Sequence, residues 1–179
     1  PAFLFAFIFV LAGIGFKISA VPFHLWTADV YEGAPVAATS YLSVISKGSV
    51  MFILAYLLFY VFNNIIGTWR AVIILIALFS ITLGNLFALR QQNIKRFMAF
   101  SSITQMGFVL IALAAAKLMS TSALIYFIMI YIFSNLAAFG IIAVVYNQIG
   151  SVAVKDFKGF YKKNSAMDRG FEMDFFSIA

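Results

Sequence analysis

Apolar residues fill long runs of this chain on every face. They show neither the two-residue alternation of a half-buried strand nor the one-sided stripe of a surface helix. A first run extends from Ala2 to Ser19, is interrupted at Val21-Pro22, and resumes as Phe23-His24-Leu25-Trp26 through to Tyr31. Proline lacks a backbone donor and disfavours helix at the residue before it, so the pattern predicts one crossing over 2–31 broken into two half-helices at Pro22. Glu32-Gly33-Ala34-Pro35 then turns the chain. Further helices are predicted over 36–62, closed by Asn63-Asn64, and over 67–89, 97–116 and 120–148. A helical crossing needs about 20 apolar residues, so residues 1–150 read as an all-α transmembrane region of about five spans. The stretch 151–170 is a charged linker, and 171–179 reads as the start of a sixth membrane segment.

Composition supports this reading. Of the 179 residues 64% are hydrophobic and 10% charged, with a mean hydropathy of +1.05, where a soluble domain carries about a quarter charged residues. That supply cannot clothe a water-facing surface. A transmembrane β-barrel is excluded by the lack of polar alternation over strands of about ten residues. Twelve basic against six acidic residues give a net charge of +6, which in a lipid-embedded chain speaks to orientation and does not indicate nucleic-acid binding. One side of the membrane collects Arg90, Lys95, Arg96, Lys155, Lys158, Lys162, Lys163 and Arg169, together with the Asp29 to Pro35 turn, whereas the other receives Arg70 and Lys117. The first side is therefore expected to be the cytoplasmic or matrix side. With no Cys and one His, the chain cannot build disulfides, iron–sulfur clusters or bis-His haem sites. Gly13-Ile14-Gly15 begins like a dinucleotide loop but lacks the third glycine and lies inside an apolar helix, so it is rejected as one. The Phe and Met content reads as lipid-facing filler. Pro1 without a Met or basic leader suggests that residues precede it.

Two ammonium groups stand inside apolar helices. Lys17 lies about 21 Å along a helix from Tyr31, and Lys47 about 16 Å beyond Val36, which places both near the middle of a core about 30 Å thick. A central Lys costs about 3 kcal/mol to insert, and such residues usually face a protein interior or a water cavity and mark an ion path. Low dielectric disfavours a charged ammonium, so an enclosed lysine becomes a candidate proton carrier, and two within reach would couple their titrations. Both are expected to be kept dry by packed polypeptide at similar heights on adjacent antiparallel helices. His24 falls two turns past Lys17. Either it relays protons along that face or it is a structural group bonded to the disrupted backbone. Thr39, Ser43 and Lys47 form an i, i+4, i+8 row, with Ser40 and Ser46 close by. Their hydroxyls either order water toward the lysine or bond back to backbone and neighbouring helices. The same pair of readings applies to Ser101, Ser102, Thr104 and Gln105, and to Ser134 and Asn135.

The string GIGFKISAVPFHLWTADVYEGAP, Gly13 to Pro35, resembles the antiporter-like membrane subunits of respiratory complex I, NADH:ubiquinone oxidoreductase, and in DVYEGAP its chain 2 branch. SYLSVISKGS (Ser40 to Ser49), NLFALRQQNIKRFMAFSSITQMGF (Asn85 to Phe108), the Tyr131 to Phe139 region and VKDFKGFYKKNSAM (Val154 to Met167) continue the likeness in order, and the final SIA is similar to the start of the family's SLAGIPP segment. The resemblance implies an antiporter-like fold of inverted five-helix repeats, here incomplete. It also implies proton translocation through central lysines, Lys17 and Lys47 matching two of them and His24 the histidine of the PFH motif. Ala28 stands where the family has proline. Family members begin some six helices earlier, including one bearing a glutamate thought to tune the first lysine, and extend to a second broken helix with another lysine. The missing helices are thus expected from further sequence or a separate polypeptide. The resemblance further implies no cofactor in this chain, with FMN and iron–sulfur clusters on other subunits. The implied partners are complex I membrane subunits and lipids. A related Na+/H+ antiporter subunit and a structural module that no longer pumps are the alternatives. The Phe-, Ile- and Tyr-rich composition, as from an AT-rich organellar genome, favours a mitochondrial inner membrane over a bacterial plasma membrane.

Overall fold

The computed structural model describes residues 2–115 and 120–157. The expected positions of Lys117, of most of the charged linker and of the 171–179 segment lie outside them. The described residues form an all-helical bundle. Helix α1 spans Ala2–Ile18, α2 Leu25–Gly33, α3 Val36–Val61, α4 Ile66–Ala88, α5 Ile94–Ala115 and α6 Ser120–Ile149. Four helices are long and apolar enough to cross a membrane, over Val36–Val61, Asn63–Ala88, Ile94–Ala115 and Leu124–Ile149. At 17 residues, about 26 Å of helix, α1 falls just short of a crossing, and α2 continues its path beyond a break.

The break lies among buried residues, with Ser19, Ala20 and Val21 all enclosed and Ser19 in the left-handed region at φ 62°. Opened backbone groups at that depth have no water to turn to and must find partners in protein. The Val21 N–H donates to Ser80 Oγ of α4 at 3.0 Å, and Ser80 in turn donates to the Ile76 carbonyl at 2.7 Å. On the other side of the break the Trp26 indole N–H donates to the Phe16 carbonyl at 3.1 Å, while its ring stacks on Phe16.

Ser80 is delivered by a one-sided stripe on α4: Trp69, Ile73, Ala77, Ser80, Gly84 and Ala88 are buried at spacings of three and four. The lower half of that stripe is small, and α5 approaches it closely. A Cβ on Gly84 would stand 3.1 Å from the Thr104 nitrogen and 3.2 Å from the Phe100 carbonyl oxygen. One on Gly107 would stand 3.1 Å from the Ala77 carbonyl oxygen. Small residues that let two backbones approach are how apolar helices associate where lipid supplies no hydrophobic drive between them. Helix α5 is the centre of the bundle, 67% buried over its span against 28–39% for the other three. It packs on α4, α2 and α6.

Two elements differ from the sequence expectation. Helix α5 begins at Ile94, not Phe97, so Lys95 and Arg96 are helical residues. Asn93 accounts for this by capping the helix, its Oδ1 accepting from the Lys95 N–H at 2.9 Å. Asn93 also forms a short antiparallel bridge with Ala153, through Ile94 N–H to the Val152 carbonyl (2.9 Å) and Val154 N–H to the Gln92 carbonyl (2.8 Å). Helix α3 is not uniform: Leu42–Ser46 and Leu57–Val61 are π-helical turns, and the first ends directly before Lys47.

Three substitutions test this packing. Gly84→Ala forces backbone apart and is expected to destabilise the complete protein by about 1–3 kcal/mol, read as a lower thermal midpoint in detergent. Gly67→Ala, at a glycine with open space around it, is expected to leave the midpoint unchanged or slightly raised. Ser80→Ala orphans the buried Val21 N–H and is expected to cost about 1–3 kcal/mol in the same assay. A Ser80→Ala midpoint equal to the parent's would mean that the break does not depend on that bond.

Candidate functional site

The site is built where α2, α3, α5 and α6 meet. Lys47 is 1% exposed, on α3 at the end of the first π-turn. Its Nζ donates to Ser102 Oγ of α5 at 2.8 Å, and Ser102 donates to the Ala99 carbonyl at 2.8 Å. Nζ also stands 5.5 Å from the ring centroid of Tyr31, on α2, which is fully buried. The Tyr31 hydroxyl faces Ser43 and Ser102 without a well-formed hydrogen bond. From α6, Tyr131 donates its hydroxyl to the Ser43 carbonyl at 2.9 Å and lies 3.4 Å from Ser43 Oγ. The result is an enclosed polar cluster of one amine and four hydroxyl groups. No carboxylate pairs with Lys47 among the described residues, whose ion pairs are those of Arg96.

The row Thr39, Ser43 and Lys47 is buried throughout, and its hydroxyl bonds go to protein. Thr39 donates to the Pro35 carbonyl at 3.0 Å and approaches that of Tyr31 at 3.4 Å, while Ser43 meets Tyr131. On α5 the polar residues are sorted by direction. Ser102 and Thr104 are enclosed, whereas Ser101 and Gln105 line a cleft of about 390 Å³ with Ser134, Asn135 and Tyr131 of α6. Thr104 bonds back to the Phe100 carbonyl at 3.3 Å, a backbone role.

Lys17 corrects the expectation. It is exposed on the outer face of α1 and makes no hydrogen bond or ion pair among the described residues. Lys17 and Lys47 sit on packed helices but face different ways, and nothing brings their amines together. Burial was inferred from depth alone; in helices apolar all round, depth does not say which way a side chain points. His24 does not share the Lys17 face either, because the break between them resets the helical phase. It is buried, stacks on Phe87 with centroids 6.3 Å apart, and faces the Pro22 backbone without a well-formed side-chain hydrogen bond. Pro22 itself is exposed. The sequence reading did not single out Tyr31 or Tyr131. Their available signal was a phenol within reach of a mid-membrane lysine, which spacing alone does not reveal.

At the basic end, Arg96 of α5 pairs with Asp29 at 2.8 Å and Glu32 at 2.6 Å on α2. Asn93 donates to Glu32 at 3.0 Å, and Lys95 Nζ donates to the Ala34 carbonyl at 2.8 Å. This clasp fixes the outer end of α2 to the start of α5 and places the Asp29 to Pro35 turn on the side of Arg96.

All 179 residues match the family model described as NADH:quinone oxidoreductase/Mrp antiporter, transmembrane region. The chain belongs to this family. Among curated relatives of the family it is similar to NADH-quinone oxidoreductase subunit N of Azobacteroides pseudotrichonymphae, 49% identical over 168 residues that cover 93% of this chain and 35% of that one. Subunit N of Phocaeicola vulgatus is 43% identical over 180 residues, covering all of this chain and 38% of the relative. The chain thus spans just over a third of the length of these relatives. Among solved structures, a chain of respiratory complex I from Thermus thermophilus with bound aureothin superposes with a TM-score of 0.68 at 28% identity, over 86% of this chain and 33% of that chain. A chain of an archaeal membrane-bound sulfane sulfur reductase shares the fold, with a TM-score of 0.72 at 24% identity over 81% of this chain and 30% of that chain. The family member described here is a multi-pass membrane protein with an antiporter-like helical fold.

The clasp makes a pH prediction. The Arg96 hydrogen bond beside Glu32 holds that carboxyl below its ordinary value of 4.5. A lowered folded-state value contributes stability that is present above the unfolded value and is lost as pH falls through the folded one. Stability is therefore expected to fall on acidification below about pH 4.5, and Arg96→Gln to remove the part owed to this pair. The carboxyl is largely exposed, so that part is under about 1 kcal/mol. Thermal midpoints across pH check it.

Proposed function

We propose that this chain is part of a membrane-arm subunit of NADH:quinone oxidoreductase and takes part in proton translocation coupled to NADH oxidation and quinone reduction, with Lys47 as a proton carrier. The observation that carries the reading is the enclosed Lys47 amine, bonded to a hydroxyl and free of any carboxylate among the described residues. An ammonium so held has shed its water without gaining a counter-charge among the described residues. The relatives are quinone oxidoreductase subunits, which favours this complex over a Na+/H+ antiporter.

Lys17 is proposed to act from the outer face of α1 once the rest of the complete subunit, or a neighbouring membrane subunit, covers it. His24 is proposed as a relay group at the break. Electron transfer is assigned to FMN and iron–sulfur clusters on other subunits, which reach this chain by conformational or electrostatic coupling. Other membrane subunits and lipids are the partners. For location, the relatives named are bacterial and support the plasma-membrane reading over the mitochondrial one.

The test is Lys47→Ala and Lys47→Arg in the complete subunit of the assembled complex, with NADH-driven proton uptake into vesicles measured beside NADH oxidation. An arginine keeps the charge but does not release a proton. Both variants are expected to lower the rate of proton uptake by about tenfold or more, a barrier change above about 1.4 kcal/mol, and with it the proton yield per NADH. An unchanged yield would assign the chain a structural role.

A further inference from the structure

We propose that Tyr31 is the positioning residue for proton exchange at Lys47, its ring face serving as the seat of the ammonium and α2 as the arm that holds the ring in place. This rests on the function proposed for Lys47 and names what controls that amine.

The geometry is that of a cation on an aromatic face. Nζ lies 5.5 Å from the ring centroid, inside the range of about 6 Å within which a ring quadrupole attracts a cation, and both groups are almost entirely enclosed. Enclosure matters because the attraction strengthens when water is removed. It also matters that Lys47 has no carboxylate partner among the described residues, so its surroundings offer the Ser102 hydroxyl and the Tyr31 ring.

Those two partners form one unit. Ser102 rides on α5, and α2 is bound to the start of α5 by Arg96 with Asp29 and Glu32, and by Lys95 with the Ala34 carbonyl. Glu32 is the residue after Tyr31, so the clasp grips α2 next to the ring. Lys47 comes from a different element, α3, at a π-turn, a feature frequent at functional sites because it interrupts the regular helical ladder. A shift of α3 against the α2–α5 unit moves the amine off both partners together, whereas a shift within that unit moves the seat beneath it. The Tyr31 hydroxyl takes no well-formed hydrogen bond, so the ring, not the phenol proton, is assigned the role.

The experiment uses the complete subunit in its assembled complex. Tyr31→Phe is compared with phenylalanines bearing one, two and three ring fluorines at position 31, which keep the shape of the ring while draining its negative face. Assembly is followed on native gels and by NADH oxidation with a soluble acceptor. The expected result is a proton yield per NADH that falls stepwise with fluorine number relative to Tyr31→Phe, by about threefold or more at three fluorines. A yield flat across the fluorine series overturns the proposal, since a packing role would not sense ring charge. So does an assembled Tyr31→Phe complex that no longer pumps, which would assign the role to the hydroxyl. Lys47→Ala run alongside separates the two readings: if it pumps normally the parent function fails, and if it alone fails to pump only the Tyr31 assignment falls.

Discussion

A backbone opened inside a bilayer has no water to bond to, and this constraint organises the bundle. The break between α1 and α2 exposes amide and carbonyl groups among fully enclosed residues. Each such group left unpaired costs several kcal/mol in hydrocarbon (about 2–7). The chain meets that demand with local backbone bonds, Ser19 N–H to the Phe16 carbonyl, Ala20 N–H to that of Gly15 and Phe23 N–H to that of Ala20, and with one long-range bond, Val21 N–H to Ser80. Ser80 can reach Val21 only if α4 presents its buried stripe inward, and the small residues of that stripe are what let α5 lie close behind it. The break, the α4 stripe and the central place of α5 are therefore one solution, and losing any part strands the others.

The break also creates α2 as a separate, short helix. Nine residues of helix held only by their own propensity would be marginal. What fixes α2 is tertiary: its outer end is tied by Arg96 and Lys95, and its inner face packs on α5. The ion pairs are partly exposed and of small energetic worth, but their position lends them geometric leverage. They grip the turn that carries Tyr31 and so bear on the surroundings of an amine buried elsewhere in the bundle.

The fold class was legible because lipid imposes a simple code. Runs apolar on every face mean helices, and Val21-Pro22 within such a run means a break. The start of α5 was legible too, in an Asn93 that caps, but the charges of Lys95 and Arg96 pulled the expected boundary outward to Phe97. The first π-turn of α3, Leu42–Ser46, leaves no mark in SYLSVISKGS. Facing was the larger loss. In a soluble helix the polar side names the exposed face; here Lys47 shares a row with Thr39 and Ser43 while Lys17 follows an apolar run, and only the neighbours around each decide which is enclosed. The partners of Lys47, the Tyr31 ring and the Ser102 hydroxyl, lie far apart in sequence, and no local spacing joins them.

The contrast between the two lysines carries the last step. Lys47 brings its environment with it: a hydroxyl, an aromatic face and a closed shell of helices, all supplied by the described residues. Lys17 has none of these. On an outer face shared with Gly13, whose missing side chain leaves open space beside α1, its amine would meet hydrocarbon at a cost of about 3 kcal/mol unless something polar lies against it. The same residue type thus divides into an enclosed amine on α3, whose partners the described residues supply, and an exposed one on α1 that they leave without a polar contact.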